Sequence, residues 1–215
     1  MIKKNLVILV LCLAVLAGAV QAQSVKADAG KKNVYAGMLA ALKGGDTNVD
    51  YKALRMAFAE TENYSFHGTD KQEAAKMFKP LGEKNYKEAL KLAEKMLEAN
   101  YVEPNAHYVA YLANTELKDE KKAAFHKAVL LGLINSIKDG KDGKTAKTAF
   151  FPITIDEEYT LLRFLGYRVE AQSLQSNEGH QFDVMSVADS KTGEKAKFYF
   201  NLDVIWAAET KLFGK

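Results

Sequence analysis

One cysteine occurs in 215 residues, Cys12, and it lies inside an apolar run near the amino terminus. A lipid-anchored reading would need a small residue just before it, and Leu11 is not one. Once that run is removed, no disulfide, thiolate nucleophile or cysteine metal ligand is left. Proline is scarce as well: Pro80, Pro104 and Pro152 are the three, each beside an expected element boundary. Charge of one sign is also missing. Thirty basic residues face 27 acidic ones, and loss of Lys3 and Lys4 brings the formal charge from +3 to +1. Such a balance gives no long-range pull toward nucleic acid or anionic lipid. A nucleic-acid partner is therefore not expected, and the membrane matters only through export.

Export is what the first 22 residues indicate. Lys3 and Lys4 lead into an unbroken apolar run from Leu6 to Val20, and Val20-Gln21-Ala22 offers a cleavage site. The run is too short for a comfortable membrane span and reads as a signal peptide, cut after Ala22. The expected compartment is the periplasm or the exterior. The polar stretch 23–33 reads as a mobile leader. The remaining chain, about 190 residues, is ample for one hydrophobic core.

From 34 to 138 the pattern is helical. Asp50 to Glu62 carries Leu54, Ala57 and Phe58 at helical spacing behind an Asp50 N-cap. Asp70 to Phe78 looks similar and is expected to stop near Pro80 and Gly82. Glu83 to Ala99 is amphipathic throughout, and helices over 105–117 and 120–137 follow, parted by Lys118-Asp119. Short turns between helices of this length imply antiparallel packing. Ala89 and Ala123 lie 34 residues apart, which gives the segment a tetratricopeptide-like rhythm, although the usual tryptophan and glycine are absent.

After Ile137 the pattern changes. Asp139-Gly-Lys-Asp-Gly-Lys is a turn-rich break. Strands are expected over Thr148–Ile155, Tyr167–Leu174, Gln181–Ala188 and Ala196–Leu202, with helices over Asp156–Leu165 and Val204–Leu212. Lys191-Thr-Gly-Glu supplies a tight turn between the last two strands. Phe198 and Phe200 share one face opposite Tyr199, and with Phe150, Phe151 and Trp206 they are expected to build the core of the sheet layer. Helices followed by strands define an α+β class. An N-terminal antiparallel helical layer (34–138) precedes a small antiparallel sheet with one or two helices (139–215), and the two pack as one unit.

The order VDYKALRMAFAETENY, AHYVAYLANTELKDEKKAAFH, SIKDGKDGKTAKTAFFPITIDEEYTLLRFLG, FDVMSV and KFYFNLD resembles a secreted bacterial family, domain of unknown function 4919, over almost all of the mature chain. The resemblance implies no activity. The family's Ser/Asp-Gly-Asp-Gly-Lys-Ser/Thr loop is interrupted here by Lys141, in Gly140-Lys-Asp-Gly-Lys-Thr145.

Motifs that carry chemistry are few. A calcium loop would need a glutamate where Gly140 and Gly143 are followed by Ala146 and Ala149, and four lysines surround the loop. A phosphate loop would need wider glycine spacing and a strand-then-helix order. His67, His107, His126 and His180 form no His-x-x-x-His pair. Asp156-Glu157-Glu158 starts a helix, where the dipole favours carboxylates. No Gly-x-Ser-x-Gly elbow marks a serine. No catalytic residue, metal or cofactor is therefore named.

The candidate ligand-binding residues are His107, Tyr111 and Asn114, placed on a concave helical face by the tetratricopeptide-like register, with His126 on the next helix. The function expected is a non-enzymatic periplasmic or secreted binding module for a protein or peptide. The alternative is a cell-envelope hydrolase using one of these histidines with a carboxylate. A small-ligand or metal carrier is a third reading, and the oligomeric state stays open.

Overall fold

The computed structural model describes residues 34–214. The expected signal peptide (1–22) and leader (23–33) lie outside the described residues. Among those residues, no helix is long and apolar enough to cross a membrane. The elements run α1 (34–43), α2 (Tyr51–Phe58), α3 (Lys71–Gly82), α4 (Tyr86–Ala99), α5 (Pro104–Glu116), α6 (Glu120–Lys138), α7 (Ile155–Phe164), β1 (Tyr167–Asn177), β2 (His180–Asp189), β3 (Lys195–Asn201) and α8 (Asp203–Phe213). The class is α+β.

Local chemistry explains most helix starts. Asp50, Asp70, Asn85 and Asp119 each accept a first-turn backbone N–H through the side chain. α5 begins at Pro104, whose absent N–H is no loss in a first turn, behind the side chain of Glu103. α3 to α6 pack each on the next, and α3 also reaches α5. Small residues permit the close approach: Ala89 and Ala93 of α4 meet Ala106 and Ala110 of α5 in one buried cluster with Met77. Ala89 and Ala123 are both buried.

α6 is the central element. Val129 and Leu133 join Leu42, Leu54 and Phe58 in one cluster. Leu130, Ile134 and Ile137 join Leu161, Leu162, Met185, Val187, Phe198 and Phe200 in another. The sheet is antiparallel in the order β1-β2-β3. Glu178 and Gly179, at φ 50° and 84°, form the two-residue turn between β1 and β2.

Two expectations need correction. Thr148–Ile155 is not a strand. A 3₁₀ turn (Ala146–Thr148) is followed by one parallel bridge, Phe150 to Phe200. The following donors are taken elsewhere: Phe151 N–H goes to Ile137 O at 2.8 Å, Pro152 has none, and Ile153 N–H goes to Glu157 Oε2 at 2.7 Å. α3 ends at Gly82 as expected, with Pro80 inside its final turn, where a proline removes only one late donor. Trp206 is 41 % exposed rather than core. Helix α1 was not resolved within the helical region by the sequence pattern.

The deepest polar contact is an ion pair. Arg55, fully buried at the end of α2, donates from Nε to Glu157 Oε1 at 2.8 Å and from Nη2 to Glu157 Oε2. The guanidinium also donates to Phe151 O at 3.0 Å and to Ser136 Oγ at 3.2 Å, and Ser136 in turn donates to Leu133 O. Removing one partner from such a pair leaves a buried charge alone. The variant Arg55→Met is expected to lose about 3–5 kcal/mol in urea unfolding, and a loss under 1 kcal/mol would contradict this role. Gly132 of α6 is the contact point for Tyr51, whose Cε2 would lie 2.2 Å from an added Cβ. Gly132→Ala is expected to cost about 1–3 kcal/mol in the same measurement.

Candidate functional site

His107 and His126 do meet, but inside the protein. His107 is fully buried and His126 nearly so, with their Nδ1 atoms 3.0 Å apart. His107 Nε2 lies 2.9 Å from Tyr101 O. A carbonyl only accepts, so His107 carries its hydrogen on Nε2, and its Nδ1 accepts from His126 Nδ1–H. Asn114 is buried and donates to Ala110 O at 2.8 Å, while Tyr111 is half-buried with the Lys127 ammonium 5.7 Å from its ring centre. His107 and Asn114 are therefore packed rather than open, since α5 lies against α3, α4, α6 and α7, whereas Tyr111 stays half-buried. Neither histidine is hydrogen-bonded to a carboxylate. The His–Asp contact among the described residues is His180 Nδ1 to Asp203 Oδ2, 2.8 Å, exposed at the sheet's end.

The loop at 139–145 is tied down by one lysine from α2 and one of its own. Lys52 Nζ is 2.8 Å from Asp139 Oδ2 and Lys141 Nζ 3.6 Å. Gly143, at φ +71, lies so close to the Phe150 ring that an added Cβ would sit 2.4 Å from it. A cavity of about 340 Å³ opens between α3 and α4 over Met77, Leu92 and Met96, with Thr69 and Lys95 at its margin.

The unexpected concentration of polar chemistry is the first turn of α7. Thr154 Oγ1 accepts from Glu157 N–H, and the Ile155 and Asp156 N–H groups go to Phe66 O and His67 O. That approach requires Gly68 at φ +82, where a Cβ would fall 2.7 Å from Asp156 Cβ. Asp156, Glu157 and Glu158 then face three ways. Asp156 accepts from Asn105 Nδ2 at 3.2 Å, and Asn105 also meets Thr160 and Arg163. Glu157 takes Arg55. Glu158 is fully buried beside Asp183 of β2, and neither of its oxygens has a hydrogen-bond donor.

Burial, then the charge of Asp183, pushes the Glu158 carboxyl well above the usual carboxylate range. Asp183 is also raised by burial, although hydrogen bonds oppose the shift. Its carboxylate accepts from Gln172 Nε2, and Gln172 Oε1 accepts from Tyr159 OH at 2.7 Å. The reading of Asp156-Glu157-Glu158 as dipole capping missed these partners. Three arginines against 27 lysines were the available signal: Arg55 and Arg163 both serve this polar layer, where a planar fork is needed.

Strand β1 borders this layer. Residues 171–177 are all exposed and uncharged, and no backbone hydrogen bond joins their outer edge to another segment among the described residues. The opposite edge of the sheet is closed: Tyr199 N–H donates to Gly143 O, Phe150 N–H to Tyr199 O and Asn201 N–H to Phe150 O, at 2.7–2.9 Å.

A three-stranded sheet backed by helices, with a buried carboxyl layer under one open edge, is an α+β architecture. The family description Domain of unknown function (DUF4919) matches residues 26–211. The chain belongs to that family. No curated protein matches it, and no solved structure does.

The buried ionisable groups set opposing pH responses. Burial lowers His107 to about 3 and His126 to about 4 from 6.5. The unfolded chain binds protons there that the folded chain refuses, so this stability is complete above pH 6.5 and fades toward pH 3–4. Glu103 acts the other way. Burial, then the Asp156 charge, raises it from 4.5 to about 7 against the hydrogen bonds from Thr69 and Asn105. Its contribution is complete below pH 4.5 and is lost as pH rises through 7. Glu103→Gln is accordingly expected to gain stability at pH 8 relative to pH 4 in urea titrations. A wild-type and variant difference independent of pH would refute the assignment.

Proposed function

We propose that the chain is an exported, non-enzymatic binding module that receives an extended segment of a peptide or protein along the free edge of β1. The observation that carries this is the seven-residue uncharged edge, 171–177, in a sheet whose other edge is covered. Exposed edges are ordinarily blunted by charge, proline or a covering element. Here a bulge between Val169 and Ala171 and the charges of Arg168, Glu170 and Lys195 protect only the first part of β1. Backbone pairing along the rest supplies affinity with little demand on partner sequence, and alternate side chains supply selectivity. Export is supported by Lys3, Lys4, the apolar run and the Ala22 site. This reading is preferred to a hydrolase because His107 and His126 are hydrogen-bonded to one another rather than to a carboxylate.

The test is a selection of random twelve-residue peptides on the mature chain, followed by N-methylation of alternate amides in the best binder. One alternate set is expected to weaken binding at least tenfold and the other to leave it nearly unchanged. Equal tolerance of both sets would overturn strand addition.

A further inference from the structure

The free edge of β1 is complementary to itself. On β3, Tyr199 and Asn201 turn their N–H groups away from β2, to Gly143 O and Phe150 O. Residues directly opposite in an antiparallel pair face either toward each other or both away. Val184 and Phe182, which lie opposite Tyr199 and Asn201, therefore direct their backbone groups at β1, where they meet Ser173 and Gln175. The alternate residues Gln172, Leu174 and Ser176 then turn their N–H and C=O groups outward, to the free edge. The uncharged run 171–177 has Leu174 at its centre. That leucine is the one large apolar side chain of the run, and it is 54 % exposed.

Resting on the reading of β1 as a strand-accepting edge, we propose that its resting occupant is a second copy of this chain, paired antiparallel about Leu174, and that an incoming segment displaces that copy. In this register Leu174 meets its own copy, and Gln172 and Ser176 meet reciprocally, so each outward N–H and C=O of the three finds a partner. On the other face Ala171 meets Asn177 and Ser173 meets Gln175, and no charge enters the run. The exposed leucine is withdrawn from water by cross-strand contact with its twin. Moving the axis to Ser173 or Gln175 separates the leucines and draws Glu170 or Glu178 opposite the run. About Leu174 those two glutamates meet only beyond its ends, and Glu170 is already paired with Lys195 and Arg168. One short strand pair covers less than the roughly 1,600 Å² of a standard stable interface, so the pairing is weak and open to replacement.

The test places single cysteines in the mature chain, since Cys12 lies within the expected signal peptide. Opposed Cα atoms in such a pair lie about 5.5 Å apart, a separation that a disulfide spans. Under mild oxidation Leu174→Cys is expected to cross-link to itself. Gln172→Cys and Ser176→Cys are expected to stay largely single when alone and to join when mixed. In analytical ultracentrifugation across a hundredfold range of concentration, the wild type is expected to pass from monomer to dimer. Leu174→Lys is expected to stay monomeric with an unchanged circular dichroism spectrum, and the peptide selected on the mature chain to return the wild type to monomer. A wild type that is monomeric throughout, or lone variants that all cross-link as strongly as Leu174→Cys, would overturn the pair; strand addition would still stand on the N-methylated peptides. A dimer that persists with peptide bound would refute displacement. A dimer for which no peptide binder can be selected would refute displacement and the peptide-binding role together, leaving only the pair.

Discussion

The Arg55–Glu157 pair is the constraint on which the other contacts depend. Its two residues are 102 apart in sequence, and both are withdrawn from water. Such a pair is tolerable only when every remaining donor and acceptor is satisfied. Here the satisfaction comes from Ser136 on α6, from Phe151 O, and from Ile153 N–H. The ion pair therefore holds α2, α6, the 151–153 segment and α7 in a single arrangement. A shift in any one of them would strand a charge. Hydrophobic clusters fill space on both sides of α6, but they are non-directional; the guanidinium fork supplies the geometry.

That arrangement also explains why 148–155 stays irregular. Its apolar residues insert into two different clusters, Phe150 with the sheet and Ile153 with α1 and α2. Its backbone hydrogen bonds go to a helix end, to β3 and to a carboxylate. The segment acts as a seam between the helical layer and the sheet, and α7 begins directly after it, with its first carboxylates already committed to different neighbours.

The legible parts of the sequence were those with short-range causes. Amphipathic stripes located α2 to α6, aided at α2 by the Asp50 cap, the acidic run 156–158 marked the start of α7, and alternation located β1 to β3, because these signals lie within a few residues of what they produce. The apolar spacing of Ala149, Phe150 and Ile153 imitates a strand, since local pattern does not reveal where backbone donors go. His107 and Asn114 were read as ligand-facing from a helix register, yet α5 is packed on several sides, and a register cannot tell which of them meets solvent. The candidate site was least legible. Glu158 meets Asp183 only through the tertiary fold, and a run of three acids at a helix start satisfies a capping rule completely before any partner is considered.

The closed edge at β3 has a consequence for stoichiometry. Phe150 and Gly143 occupy the hydrogen-bonding positions that a further strand would need on that side, so among the described residues the sheet presents one open flank and one terminated flank. Growth of a filament requires two complementary flanks on each unit, because every addition must regenerate the surface it consumed. If the proposed strand addition occurs at the open flank, association through the sheet would stop after one event, as a one-to-one complex or a closed pair. The bridge at Phe150, small as it is, acts as a chain terminator for assembly.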